Sequence, residues 1–522
     1  MQSKLFTCLL LSSAISSSLP TAAPRNPRSG KKDADLAAQI QRVENGFPPI
    51  PLSSSEPPLQ LNLEKLMELY NCPGLSVAVI DNFKIAWAKG YGVVEAGSHQ
   101  PVTVHTLFQA GSISKPVAAA GTLSLVEQGK LSIDENVNQK LKSWQVPENE
   151  FTKNEKVTLR RILSHSAGFT VHGFPGYEAG SPIPSLVQIL NGEPPANTAP
   201  IRVDFVPGTK FRYSGGGVTV EQQLVIDVTG KPFPQFMRER VLNKIGMADS
   251  TYEQPLPPAR AAATATATHA DGKAIPGKWH IYPEMAAAGL WTTPSDLAKF
   301  AIEIALSKQG KANHVLSEVT TREMLKPQIE QVGLGFFLDG HKNPEEFGHN
   351  GADEGFQAVL IMFADSGKGV VIMANSDNGI NIANQLMQSV AKEYGWNYTP
   401  DKPSAADLLM LVANVKGPQA VITRYSELKK LGSSSPYTLD ENTLIGVGYH
   451  FLLAGQNEAA VQIFQLEVQG YPKFWNAYDS LAEGFLKAGQ KELAIQNYQK
   501  SVDLNPQNQG GIDALKKLRS QK

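Results

Sequence analysis

Ser112 and Lys115 stand three residues apart, just ahead of an apolar helical run that begins at Val117. Residues three apart on a helix share a face, so the Ser112 hydroxyl and the Lys115 amine can meet at the first turn. An amine beside a hydroxyl can take its proton, which turns the serine into a nucleophile for acyl transfer. The helix N-terminus adds backbone N–H donors that suit an anionic intermediate. Ser-x-x-Lys also occurs at Ser29/Lys32, Ser389/Lys392 and Ser426/Lys429, which read as surface pairs, so spacing alone does not select Ser112.

Order along the chain selects it. Tyr213-Ser214-Gly215 lies in a glycine-rich turn before a helical run, and His349-Asn350-Gly351 lies just ahead of the strand-like run from Gln357. This succession resembles the serine β-lactamase and penicillin-binding-protein superfamily, above all its class C-like branch, which also holds D-alanyl-D-alanine carboxypeptidases, esterases and D-amino-acid peptidases. Ile162 to Phe169, Gly129-Lys130-Leu131, Pro207-Gly208, Ala287 to Leu290 and Thr293 to Leu297 extend the match, from about Leu59 to Trp396.

The resemblance implies that Ser112 forms an acyl-enzyme and that Lys115 and Tyr213 share general-base and general-acid work. It implies an oxyanion hole from the backbone N–H groups of Ser112 and Ala352. Substrate contacts fall to His349, Asn350, Gly351 and Gly215. Two positions depart from the lactamase pattern. Gly215 replaces the usual Asn and offers no side chain to a substrate amide, and His349 replaces a Lys that binds carboxylates, so its charge is only partial near neutral pH. Both favour an esterase or D-amino-acid/D-Ala-type peptidase over a true β-lactamase or penicillin-binding carboxypeptidase. No metal and no cofactor is called for. His165 reads as a loop brace, Trp291 and Phe169 as core, and His269, His280, His314 and His341 lack metal-ligand spacing. Ser166 and Ser214 are rival nucleophiles without a lysine three residues on.

Elements at both ends of this region must position these groups. The runs Leu75 to Ile80 and Ile85 to Ala88 form a hairpin through Asp81-Asn82. Val332 to Leu338, Gln357 to Phe363 and Gly369 to Ala374 are further strands, with helical runs at Leu59 to Tyr70, Val117 to Gln128, Val218 to Val228, Pro294 to Leu306 and Ile380 to Glu393. The fold class is α+β: an antiparallel sheet flanked by helices plus an all-helical part, as in β-lactamases and transpeptidases. The Ala261 to Ala270 tract reads as a loop bordering the cleft.

Beyond a linker at 397–407, Ala454-Gly455-Gln456 recurs as Ala488-Gly489-Gln490, and Glu458, Ala460, Phe464 and Pro472 recur as Glu492, Ala494, Tyr498 and Pro506. The 34-residue period matches tetratricopeptide repeats, here two units at about 442–475 and 476–509 within an α-helical segment 408–522, capped by Leu408 to Lys430.

Lys4 ahead of Leu5 to Leu11, then serines and Thr21-Ala22-Ala23, reads as a cleavable signal peptide over 1–23, giving an exported, periplasmic or secreted protein. Residues 24–56 read as a flexible lead-in to the hydrolase domain at 57–396. Cys8 falls inside the signal, and the apolar run follows it rather than preceding it, which argues against lipidation; Cys72 is left as a small core residue. A net charge of -1, from 48 basic and 49 acidic residues, argues against a nucleic-acid binder. The expected partners are a small acyl, peptide or lactam substrate and a protein partner, or self-association, through the repeats. A rival reading is a weakly active hydrolase fold that serves as a binding module.

Overall fold

The computed structural model describes residues 27–339, 346–396 and 402–520. The expected signal and Cys8 lie outside them. Within the lead-in, Pro27–Asn45 is a helix rather than irregular chain. Leu36, Ile40 and Val43 fall at the four- and three-residue spacing of one helical face, and no proline interrupts the segment before Pro48. Residues from Val43 onward form one compact unit.

Its strands are β1 (Gly74–Asp81), β2 (Lys84–Gly92), β3 (Phe108–Gln109), β4 (Trp291–Thr292), β5 (Phe337–Asp339), β6 (Glu346–Asp353), β7 (Phe356–Phe363) and β8 (Lys368–Ala374). Six form one antiparallel sheet in the order β2-β1-β8-β7-β6-β5, while β3 pairs with β4. The hairpin at Asp81-Asn82 forms as read, with Asn82 and Phe83 both at positive φ. Such a two-residue turn matches the strand twist. Val332 to Leu338 enters the sheet only at its end, and the sequence reading passed over β6, which carries His349-Asn350-Gly351 itself. Its alternation Phe347, His349, Gly351, Asp353 inward is masked by the inward His, Gly and Asp, which are poor strand signals.

β1 is buried along nearly its whole length, because the helices Pro294–Lys308 and Gly379–Glu393 cover the sheet. The helices Ser114–Glu127 and Gly215–Thr229 build the other half of the core, and the Gly111–Ile113 turn ahead of the first packs on β6 and β7. Trp291 and Phe169 are core, as read. Cys72 is buried too, its thiol pushed up to about 12 by burial.

From Ala405 the chain is all helical, so helix already occupies the last residues assigned to the linker. Asn457–Gly470 recurs 34 residues on as Lys491–Leu504, and the helices that precede them, Ile445–Leu453 and Trp475–Lys487, end at the same offset. Each helix packs chiefly on its sequence neighbours. Among the described residues no helix is long and apolar enough to cross a membrane.

Candidate active site

Gly111–Ile113 forms a tight 3-10 turn that feeds the helix from Ser114, so Ser112 sits in the turn just ahead of the α-helix and Lys115 in its first turn. Lys115 is 3% exposed, and its Nζ donates to Ser112 Oγ at 2.8 Å and to the Ala287 carbonyl at 2.7 Å. The amine is thus held by a hydroxyl and a carbonyl rather than by a carboxylate. The carbonyl comes from the short helix Met285–Ala288, part of the Ala287 to Leu290 match. Ser114 holds the turn from below: its Oγ donates to Gly111 O and accepts from Leu290 N.

β6 passes against this turn at backbone distance. A Cβ on Gly351 would stand 1.9 Å from Ala110 O, and one on Gly111 would stand 2.5 Å from Ala352 N. Only glycine permits that approach, and it brings the Ala352 and Ser112 amides to facing segments.

Tyr213 enters from the loop before the helix Gly215–Thr229. Ser214 caps that helix through Oγ, accepting from Gly217 N at 3.0 Å and donating to Thr170 O, so its hydroxyl is committed. Ser166 is buried and paired with Ser164. The Tyr213 ring lies 5.1 Å from Lys115 Nζ and 4.3 Å from the His165 ring, with His172, Phe337 and His349 on its other flanks. His165 Nδ1 accepts from Ser214 N, which is the bracing role read from sequence. Burial, then the charge of Lys115, holds His165 well below the usual imidazole range.

His349 differs from the sequence expectation of a partly charged group. It is buried, and burial together with Lys115 pushes it down to about 3, so it is neutral at neutral pH. Its Nδ1 lies 2.5 Å from the Asn350 carbonyl and must donate there, leaving Nε2 as a buried acceptor with no partner among the described residues. A substrate carboxylate would meet a lone pair, not a cation. Asn350 is exposed on the strand's other face, and Gly215 has the Phe174 ring edge 3.0 Å from where its Cβ would be.

No local pattern pointed to the acids behind the site. Glu221 accepts from Thr122 at 2.6 Å, and both Glu221 and Glu284 are pushed up to about 8 by burial. Nor did spacing signal His269, Glu354 and Asp377, whose ligand atoms lie within 4.8 Å of one another although they come from three distant segments. His269 Nδ1 stands 3.4 Å and 3.5 Å from the two carboxylates, an ion-pair arrangement when the ring is protonated.

Comparison with known proteins finds relatives among hydrolases and penicillin-binding proteins. An unguisins hydrolase of Aspergillus campestris is 27% identical over 366 residues, which are 65% of this chain and 65% of that protein, so the chain spans less than two thirds of that relative. Penicillin-binding protein 4 of Amycolatopsis lactamdurans is 23% identical over 64% of this chain and 89% of its own length. The solved structure of EstCE1, a hydrolase with promiscuous acyltransferase activity, superposes with a TM-score of 0.54 at 19% identity, over 69% of this chain and 99% of its own, a likeness of fold. A family model described as Beta-lactamase matches residues 59–393, well over half of the chain, and the protein belongs to that family of serine hydrolases.

Proposed function

We propose that the protein is an exported hydrolase of uncharged esters or peptide amides, working through an acyl-enzyme on Ser112. The observation that carries this is the buried Lys115 Nζ bonded to Ser112 Oγ at 2.8 Å. In the reacting state the Ser112 proton goes to the base form of the Lys115–Tyr213 pair as Oγ attacks the carbonyl carbon, and the oxyanion is held by the Ser112 and Ala352 amides, each worth roughly 3 to 4 kcal/mol of barrier. The proton then passes to the leaving oxygen or nitrogen with Tyr213 beside the relay, and water later cleaves the acyl ester and restores Ser112.

His349 sets the substrate class. A neutral acceptor at this position supports esterase or D-amino-acid-type peptidase activity, and weighs against penicillins and D-alanyl carboxypeptidase substrates, which present a carboxylate. Export rests on the apolar N-terminal segment. The helix bounds that return after 34 residues support two tetratricopeptide-like units at the C-terminus, which would recruit a partner or a second copy.

The test is labelling of the purified protein with a fluorophosphonate, alongside turnover of p-nitrophenyl acetate and nitrocefin. Wild type should label and cleave the ester faster than nitrocefin, and Ser112→Ala should do neither. A folded wild-type protein that refuses the label defeats the proposal.

A further inference from the structure

The site is rimmed by aromatic rings left in contact with solvent. Phe337, on the edge strand β5 opposite Gly348, is 38% exposed. Its ring lies 6.2 Å from Tyr213, within 14° of parallel, and 5.1 Å from His349. Phe211 stands 6.3 Å from it and is only half-buried. His172 is exposed with its ring 4.9 Å from Tyr213, and half-buried Phe174 fills the space where a side chain at position 215 would begin.

The backbone holds these rings there against its own preference. Val171 adopts φ +65, a conformation a β-branched residue rarely accepts. The strap persists because Gly215 N donates to His172 O at 2.9 Å, Gly216 N to Val171 O at 3.0 Å, and Ser214 Oγ to Thr170 O. Single exposed apolar residues are ordinary. Phe337 lies against Tyr213, Phe211 against Phe337 and Phe174 against Gly215, so three segments bring apolar rings beside the Ser–Lys pair, the kind of lining a small-molecule site uses.

We propose that Phe337, Phe174 and Phe211 form an acyl-side subsite for an uncharged aromatic ring, so that the enzyme selects arylacyl substrates over acetyl ones. With Gly215 unable to bond an acyl-side amide, ring contact supplies the grip that a polar side chain gives elsewhere in the family. This rests on the acyl-enzyme reading of Ser112.

The experiment compares kcat/KM for p-nitrophenyl phenylacetate and p-nitrophenyl acetate, which share a leaving group and differ in the acyl ring. Wild type should favour the phenylacetate by about tenfold or more, the scale of apolar pocket discrimination. Phe337→Ala and Phe174→Ala should bring the ratio near one. The ratio is taken within each variant, so it does not depend on how far either substitution slows both esters. Val319→Ala, at a 79% exposed apolar residue on the helix Glu318–Met324, should keep the wild-type ratio. A wild-type ratio near one, a ratio unmoved in both phenylalanine variants, or a labelled enzyme that cleaves neither ester overturns the subsite. Cleavage of both esters by Ser112→Ala at the wild-type rate overturns instead the reading beneath it.

Discussion

The hydrolase body and the C-terminal helices close their cores in opposite ways. In the body, β1 pairs Leu75 with Ala374, so the sheet exists only when both ends of a long stretch of chain have met. β6 must then lie against the Ser112 turn at backbone contact. In the C-terminal segment each helix rests mainly on the next one in sequence. Distant closure lets a site be assembled from residues 112, 213 and 349, but makes it depend on the whole. Nearest-neighbour stacking gives a structure that tolerates local loss.

The sharpest way to break this contrast is Gly351→Ala. Its Cβ would collide with the Ala110 carbonyl, a backbone atom that cannot swing aside. Turnover should fall at least a hundredfold, the scale of losing one oxyanion donor, while the C-terminal helices stay folded by proteolysis. Normal turnover would show that β6 is not held as closely as the geometry requires.

Next come paired core truncations. Leu360→Ala on β7 and Phe464→Ala in the helix Asn457–Gly470 each empty a fully buried position and should cost about 3 to 5 kcal/mol. Leu360→Ala should lower the melting temperature and weaken fluorophosphonate labelling together. Phe464→Ala should melt the repeat helices and leave labelling of Ser112 in place. If both variants lose labelling equally, the two regions form one cooperative unit and the contrast fails.

The same contrast explains what could be read in advance. Ser112, Lys115 and Tyr213 could be picked out because they lie at the starts of two helices, and helix starts have local signals. The 34-residue repeat was legible because its contacts are local. β6 was not, since its inward residues are chosen for the site rather than for strand propensity. The neutrality of His349 was not legible either, because it follows from burial and from Lys115, which is remote in sequence and close only after folding. The helix at 27–45 was not legible, because the prolines and charges around it masked its apolar spacing and the segment read as a flexible lead-in.

Acid and alkali should separate the regions further. His349 is held at about 3, below its unfolded value near 6.5, so it contributes stability that is present above pH 6.5 and lost as pH falls toward 3. Glu467 is held at about 8, above its unfolded value, so its contribution is full below about pH 4.5 and lost as pH rises through 8. His349→Gln should flatten the acid limb of the body's stability by a few kcal/mol. Glu467→Gln should flatten the alkaline limb of the helical segment alone, since Glu221 and Glu284 still weaken the body there. Melting curves from pH 3 to 9, read by labelling for the body and by proteolysis for the helices, decide it. An acid limb unchanged in His349→Gln removes that histidine from the account.

The smallest effect tests the nearest-neighbour idea most directly. Tyr449 OH donates to Glu483 Oε2 at 2.9 Å, linking equivalent helices of successive repeats across one period. Tyr449→Phe keeps the ring against Phe464 and removes the hydroxyl that bonds Glu483 and Ser480. It should cost about 1 kcal/mol, the net worth of one such hydrogen bond, and the cost should shrink when Glu483 is already Leu, which cannot accept the bond. Because the coupling is between neighbours, it should appear in protection of helices Ile445–Leu453 and Trp475–Lys487 and nowhere in the turnover of the Ser112 site. A change in turnover would mean that the repeats reach the active site energetically, and the two modes of closure would then be one.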